Sequence, residues 1–261
     1  MPGEFNGKVV VVTGGSRGIG RGIALAFARE GAQTVLAASS QSNLESARKA
    51  IAADGPEPML IAADLRKLDG CEHVFKRVQE ELHRCDVLVN NAGATRAGNF
   101  IELPDDAWID GFALKFFGAV RLTRLFWPLL KATHGHLLNI IGTAARTAEP
   151  EFLITGSVNA ASANFTKGLS KLGMRDGVHV NAIHPGLTAT DRVEQLIEQR
   201  AAAAGKSPDA MRAEMLEKSG TSRMASVEDI AQLAVFLCSE RTRHIQGIAV
   251  AVDGGATPGV Y

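Results

Sequence analysis

Val9, Val10, Val11 and Val12 form an apolar run with no polar alternation. Such a run marks a strand buried on both faces. It ends at Thr13-Gly14-Gly15, a helical spacing holds from about 18 to 29, and Gly31-Ala32 stops it. The same alternation repeats along the chain. Further strands are predicted over 34–38, 59–63, 87–89, 136–141, 179–183 and 248–252. Between them lie the helices. Ser42-Asn43-Leu44-Glu45 has the form of a capping box and opens one to about Ala53. Asp69 caps another to about Arg84, and a long one spans about 105–131 with Pro128 bending or ending it. Two more are predicted over 156–174 and from the cap Ser226.

Short strands alternating with helices of this length imply right-handed βαβ crossovers: an α/β fold with a parallel sheet covered on both faces. No repeat, low-complexity tract or composition break divides 1–261, so one domain is expected. The stretch at about 191–225 is too long for a bare connection and reads as a helical lid, two helical patterns separated by 205–208. Leu196, Met211, Met215 and Leu216 there either line an adaptable apolar pocket or pack helix on helix. Phe152, Leu153 and Ile154 add apolar surface nearby, which leans toward a hydrophobic substrate.

Composition removes several function classes. Lys and Arg number 28, as do Asp and Glu, so no basic excess points to nucleic acid. No apolar run approaches the roughly 20 residues that cross a bilayer, and the N-terminal residues lack the pattern of a signal peptide. Cys71, Cys85 and Cys238 are scattered, without metal-ligand spacing, and read as free core thiols; no metal is expected. A cytoplasmic location follows.

The chemistry begins at "TGGSRGIG", residues 13–20. Gly14 permits a tight turn, Gly18 lets backbone approach a pyrophosphate, and Gly20 lets helix pack on strand. The free N–H groups and the dipole of the helix then face an anion. Alone, the same glycines equally describe a tight βα turn with no ligand. With it go Asp64-Leu65 after the third strand, Asn90-Asn91-Ala92-Gly93 after the fourth, Pro185-Gly186 with Thr190, Gln246-Gly247, and Asp253-Gly254-Gly255. In this order the motifs resemble the classical short-chain dehydrogenase/reductase family, and the resemblance covers nearly the whole chain. It implies a Rossmann-type doubly wound parallel sheet of order 3-2-1-4-5-6-7, an oxidoreductase acting on a small molecule, and a homotetramer or homodimer. It also implies a nicotinamide cofactor held by Gly14, Ser16, Arg17, Gly18, Ile19, Gly20, Ser39, Ser40, Asp64, Leu65, Asn91, Ala92, Gly93, Pro185, Gly186, Thr188 and Thr190.

An acidic residue ending the second strand would select NAD(H). This chain has Ala37-Ala38-Ser39-Ser40 there, and Arg17 inside the glycine loop. Hydroxyls and an arginine favour NADP(H), because charge-assisted bonds to phosphate are strong; the bland alternative is that Arg17 is a solvated charge.

The family's chemistry rests on an Asn-Ser-Tyr-Lys tetrad, in which the lysine lowers the tyrosine's pKa from near 10. Aligning Gly168-Leu169-Ser170-Lys171 with the family's G-L-x-K places Asn159 at the tyrosine position and Ala163 at the lysine position. The serine position falls near Gly142-Thr143, where Thr143 supplies a hydroxyl, and the helix asparagine becomes Lys115. The chain's one tyrosine is Tyr261. Asn159 can orient a carbonyl but cannot give a proton.

Three readings stay open. A reductase or dehydrogenase works with a relocated acid, either Lys115 or His184, with Asp191, Arg146, Glu149 and Glu151 behind them. Otherwise the fold carries a non-redox reaction such as proton abstraction or elimination, since fold does not fix function. Or the protein binds NADP(H) without catalysis, as a sensor or partner subunit. Against these, Lys115 reads equally as a structural charge on a long helix, and His184 as a ring packed at a strand end.

Overall fold

The computed structural model describes residues 3–258. Seven parallel strands form one sheet of order β3-β2-β1-β4-β5-β6-β7. They are β1 (Val9–Thr13), β2 (Gln33–Ala38), β3 (Met59–Ala62), β4 (Val87–Asn90), β5 (His136–Ile140), β6 (His179–Pro185) and β7 (Ala249–Val252). The helices are α1 (Gly18–Arg29), α2 (Gln41–Ala52), α3 (Leu68–Glu81), α4 (Asp105–Phe112), α5 (Gly118–Thr133), α6 (Leu153–Asp176), α7 (Asp191–Ala204), α8 (Pro208–Ser219) and α9 (Val227–Leu237).

The valine run shows why the sheet is buried on both sides. Val10 and Val12 point into one core with Ile23 and Phe27 of α1, Leu44 of α2 and Ile230 of α9. Val9 and Val11 point into the other, with Val74 and Val78 of α3 and Leu122 and Phe126 of α5. Successive strand residues face opposite sides, so an all-apolar strand needs helices above and below it. The two ends of the chain close against each other: a Cβ on Gly22 of α1 would lie 2.1 Å from Val227 Cγ1 of α9. Cys71, Cys85 and Cys238 are free and buried, and burial pushes the Cys71 thiol up to about 11. Among the described residues no helix is long and apolar enough to cross a membrane.

Several local expectations change. Ser42 does not cap α2; Ser40 does, accepting the Asn43 N–H at 3.3 Å, and Ser42 bonds the cap's hydroxyl at 3.1 Å. Asp69 lies inside the first turn of α3, which starts from Lys67, and accepts the Gly70 N–H at 2.8 Å. Pro128 does not end its helix, since α5 runs on to Thr133. The long helix is interrupted elsewhere: residues Ala113–Phe117 form a π-helical turn between α4 and α5. α6 starts at Leu153, one turn earlier than its composition suggests. Ser226 caps α9 as expected, in a reciprocal box with Asp229.

Residues 191–225 contain α7 and α8, packed on each other through Ile197, Ala201 and Met211, with Val193, Met215 and Met224 around them. Met211 and Met215 are therefore helix-packing residues, the plainer of their two readings. Arg200 pairs with Glu151 at 3.2 Å and Lys218 with Glu149 at 3.9 Å, tying both helices to the segment before α6.

Candidate active and cofactor site

At the carboxyl ends of the central strands, β1 turns at Gly14 (φ +63°) and enters α1 at Gly18 (φ +52°). A Cβ on Gly20 would lie 2.3 Å from the Gly14 carbonyl oxygen, so only glycine permits this contact. Thr13 Oγ1 accepts the N–H groups of Asn91 (2.9 Å) and Ala92 (3.0 Å), and Asn91 Nδ2 donates to the Thr13 carbonyl at 2.9 Å. Asn91 thus stitches β4 to the glycine loop. No side chain caps α1, which leaves its first N–H groups for an anion.

The opposite wall comes from the segment after β6. Gly186 packs so closely on Asp253 that a Cβ would meet its Cβ at 2.6 Å. Thr188 is buried and donates to the Gly186 carbonyl at 3.0 Å. Thr190 caps α7 through the Val193 N–H, and its methyl would lie 3.6 Å from a Cβ on Gly18. Thr190 thus stands close to the loop, and a cradle of glycine backbone near a hydroxyl suits a dinucleotide's pyrophosphate. Arg17 of the loop and Ser39 after β2 are exposed, and Ser16 is buried in the loop.

Other residues expected at the cofactor also make contacts within the protein. Ser40 is spent on the α2 cap. The Asp64 carboxylate pairs with Arg66 at 3.3 Å, and Arg66 also pairs with Asp110. Leu65 is 2% exposed, and Ile19 packs on a core, so these two side chains serve the interior.

Lys115 sits in the middle of the π turn. Its stem lies over Gly93, where a Cβ would come within 2.9 Å of Lys115 Cδ. The residue is half-buried, and it lines a small cavity with Asn90, Ala92, Asn139, Ser162 and Phe165. Among the described residues its ammonium has no hydrogen-bond or ion-pair partner. Burial, and then the neighbouring Arg192 cation, push its pKa down to about 8.

Two hydroxyls that the sequence patterns did not mark meet on the loop that follows Gly93. Thr95 follows the Asn90–Gly93 turn, Thr155 is in the first turn of α6, and their Oγ1 atoms share a hydrogen bond at 2.6 Å. Arg192, at the start of α7, donates from Nη2 to the Thr95 carbonyl at 3.1 Å. A Cβ on Gly111 would touch both Ile154 Cγ2 (2.8 Å) and Thr95 Cγ2 (3.3 Å), which brings α4, the post-β4 loop and α6 together. The one available signal was spacing: Thr155 lies one turn before Asn159 on the same helix face.

Two expectations for side chains acting on a substrate fail. Asn159 is 0% exposed, and neither its Oδ1 nor its Nδ2 has a partner. Its amide lies under Gly142, 3.0 Å from where a Cβ there would be. The contact of α6 with Thr95 is made one turn earlier, by Thr155. His184 is 1% exposed, with Nδ1 3.2 Å from the Gly142 carbonyl oxygen, and burial lowers its pKa; it is a packed ring at a strand end. Thr143 is half-buried at the start of the turn after β5. Tyr261 lies outside the described residues. Among the described residues no group of three or more His, Cys, Asp or Glu is placed to hold a metal.

Comparison with known proteins agrees with this architecture. Residues 14–257 match the family model described as Enoyl-(Acyl carrier protein) reductase. The oxidoreductase UcpA of Salmonella typhimurium is 30% identical over 257 residues, 98% of this chain and 96% of that protein. The crystal structure of L-sorbose reductase from Gluconobacter frateurii, complexed with NADPH and L-sorbose, superposes with a TM-score of 0.94 at 32% identity over 100% of both chains. YwfH, an NADPH-dependent reductase involved in bacilysin biosynthesis, superposes at 0.90 with 26% identity, covering 97% of this chain and 99% of that one. Sheet order, glycine loop and these relatives together make the chain an oxidoreductase of the short-chain dehydrogenase/reductase family.

Proposed function

We propose that the protein is an NADP(H)-dependent reductase of a small carbonyl compound, or the reverse dehydrogenase, in which Lys115 takes over proton donation from the family's tyrosine and lysine. The observation that carries this is Lys115 itself: a lysine on a π turn, half-buried in the cleft, with no partner for its ammonium. π turns inside helices recur at functional sites.

The N–H groups of residues 14–20 and the hydroxyls of Thr188 and Thr190 would hold the dinucleotide. Arg17 and Ser39, with no carboxylate beside them, would take a 2′-phosphate. NADPH supplies a hydride equivalent when bound. The chain's own part is to place the substrate oxygen and protonate it. With a pKa of about 8, Lys115 keeps its proton roughly nine times in ten at pH 7, yet releases it far more readily than an exposed lysine. Thr155 and Thr95 add hydroxyls that orient the same oxygen, with Thr143 behind them. The α7–α8 segment serves as the lid, anchored through Glu149 and Glu151. Exposed Ile109 and Phe117, on α4 and the π turn, support assembly into a dimer or tetramer.

The test is NADPH titration by fluorescence, followed by a ketone and alcohol panel on wild type and Lys115→Met. We expect saturable NADPH binding in both, within threefold, and a fall in kcat of about a hundredfold or more in the variant. No saturable binding, or unchanged turnover in Lys115→Met, would overturn the proposal. Binding without turnover of any compound would favour the sensor reading instead.

A further inference from the structure

The arginines of this protein are mostly committed. Arg29, Arg48, Arg66, Arg84, Arg200 and Arg212 each pair with a carboxylate, and so do Arg223, Arg241 and Arg243. Arg192 does not. It is exposed at the opening of α7, and its guanidinium spends one donor on the neutral carbonyl of Thr95 at 3.1 Å. A guanidinium has five N–H donors.

Most carboxylates around it are used elsewhere; Asp191, its neighbour in the first turn of α7, is exposed and has no ion-pair partner among the described residues. Glu149 answers Lys218, Glu151 answers Arg200, and Glu194 answers Arg212. Asp253 accepts the N–H groups of Gly255 and Thr257. Asp110 is tied to Arg66, and Asp106 lines a groove that also contains Arg96. Arg192 is exposed at the start of α7 and bonded to the loop that follows Gly93, the residue over which the Lys115 stem lies, so the two cations share one side of the site. Two cations on one side of a site attract an anion that can reach both.

We infer that the substrate is a short oxo acid, or the matching hydroxy acid, bound with its carboxylate at Arg192 and its carbonyl or hydroxyl oxygen at Lys115 and Thr155. This rests on the reductase reading above and gives it a substrate class. A planar fork is the usual partner of a carboxylate. The spacing also fits. Arg192 holds the carbonyl of Thr95, while the hydroxyl of the same residue meets Thr155. Both recognition points thus meet at Thr95, one on its backbone and one on its side chain, which suits a short acid. In reduction, the carbonyl carbon receives the hydride that NADPH supplies and the C=O π pair moves onto oxygen. That oxygen takes the Lys115 proton to become a hydroxyl, and Lys115 regains a proton from water. The carboxylate stays at Arg192 throughout. This replaces the apolar substrate suggested by the residues before α6.

A second source of the same anion is the cofactor's own pyrophosphate, so the experiment separates the two. Initial rates with NADPH are compared for pyruvate and methyl pyruvate, and for acetoacetate and methyl acetoacetate. Binding of malonate, which cannot be reduced, to the NADP⁺-saturated protein is measured by calorimetry. The proteins are wild type, Arg192→Met and Arg192→Lys, each with a thermal melt. The expected result is kcat/KM at least tenfold higher for an acid than for its ester. Malonate binding should weaken at least tenfold in Arg192→Met and be partly kept in Arg192→Lys, with NADPH affinity within threefold. Esters that match or exceed the acids would overturn the inference. So would malonate binding indifferent to Arg192→Met, or a loss confined to NADPH, which would assign Arg192 to the pyrophosphate. Arg192-dependent malonate binding with no turnover of any carbonyl compound would sink the reductase reading while supporting the acid site.

Discussion

Lowering the pH from 7 to 5 should cost this protein stability through a pair of stacked histidines at the end of the sheet away from the cleft. His136 of β5 and His179 of β6 face each other in register, with ring centroids 4.9 Å apart. His136 is 5% exposed, and the Nδ1 atoms of both rings lack partners. Burial pushes the His136 pKa down to about 3, with His179, Arg243 and Lys8 adding repulsion and Glu240 opposing them. His179 is lowered too, first by burial and then by Arg243. The native state thus refuses a proton that the unfolded chain accepts near its ordinary pKa of about 6.5. With more protons bound unfolded than folded, stability rises with pH across this window. The stabilisation is complete above about 6.5 and is lost as pH falls toward the native value.

At pH 5 the unfolded imidazole is almost fully protonated and the native one almost fully neutral. The loss relative to pH 7 is therefore about 2 kcal/mol from His136 alone, and it is nearly the same for any native pKa below about 4. Carboxylates whose pKa the fold depresses, Asp229 and Glu240, act at lower pH and leave this window to histidine. Urea denaturation at both pH values, at fixed protein concentration, gives the difference directly. His136→Phe keeps a ring in the stack but has nothing to protonate, so its loss between pH 7 and 5 should be about 2 kcal/mol smaller than that of wild type. Equal losses in the two proteins, with equal m-values, would refute the reasoning.

Three further outcomes are expected. Reduction by wild type should fall as pH rises through about 8 while Lys115 loses its proton, whereas Lys115→Arg, which keeps a charge but gives up no proton, should be slow and flat in a pH–rate profile. Gly20→Ala forces a Cβ to within 2.3 Å of the Gly14 carbonyl oxygen; it should cost about 1–3 kcal/mol in urea melts and weaken NADPH binding severalfold. Asn159→Leu removes a buried amide with two unpaired atoms, so it should leave stability equal or raise it by about 1 kcal/mol in the same melts.

The strands were the most legible part, because Val9–Val12 can be satisfied only between two layers and that requirement is written in consecutive residues. The glycine loop was legible for a related reason: Gly14 and Gly18 need positive φ, and Gly20 needs a missing Cβ. The α2 cap was misplaced because Ser40 and Ser42 both have the right chemistry, and only the exit of the chain from β2 decides between them. Thr95 and Thr155 were invisible for a different reason. A lone threonine has no pattern, and this pair is joined across 60 positions by the fold.

Lys115 lies between these cases. Its identity stood out, but its direction depends on the π turn at Ala113–Phe117. A regular helix advances about 100° per residue, so one extra residue in a turn rotates the rest of the helix by nearly a third of a circle. Gly111, pressed against Ile154 and Thr95, and Gly118, whose Cβ would lie 2.9 Å from the Leu65 carbonyl oxygen, are fixed to different neighbours on either side of that turn. The residues between them must absorb the mismatch, and Lys115 is the middle one. A helical-period reading assigns 105–131 one continuous face and gives the lysine no special bearing. The contacts of the two glycines, which no local pattern reveals, decide that it turns over Gly93 into the cleft.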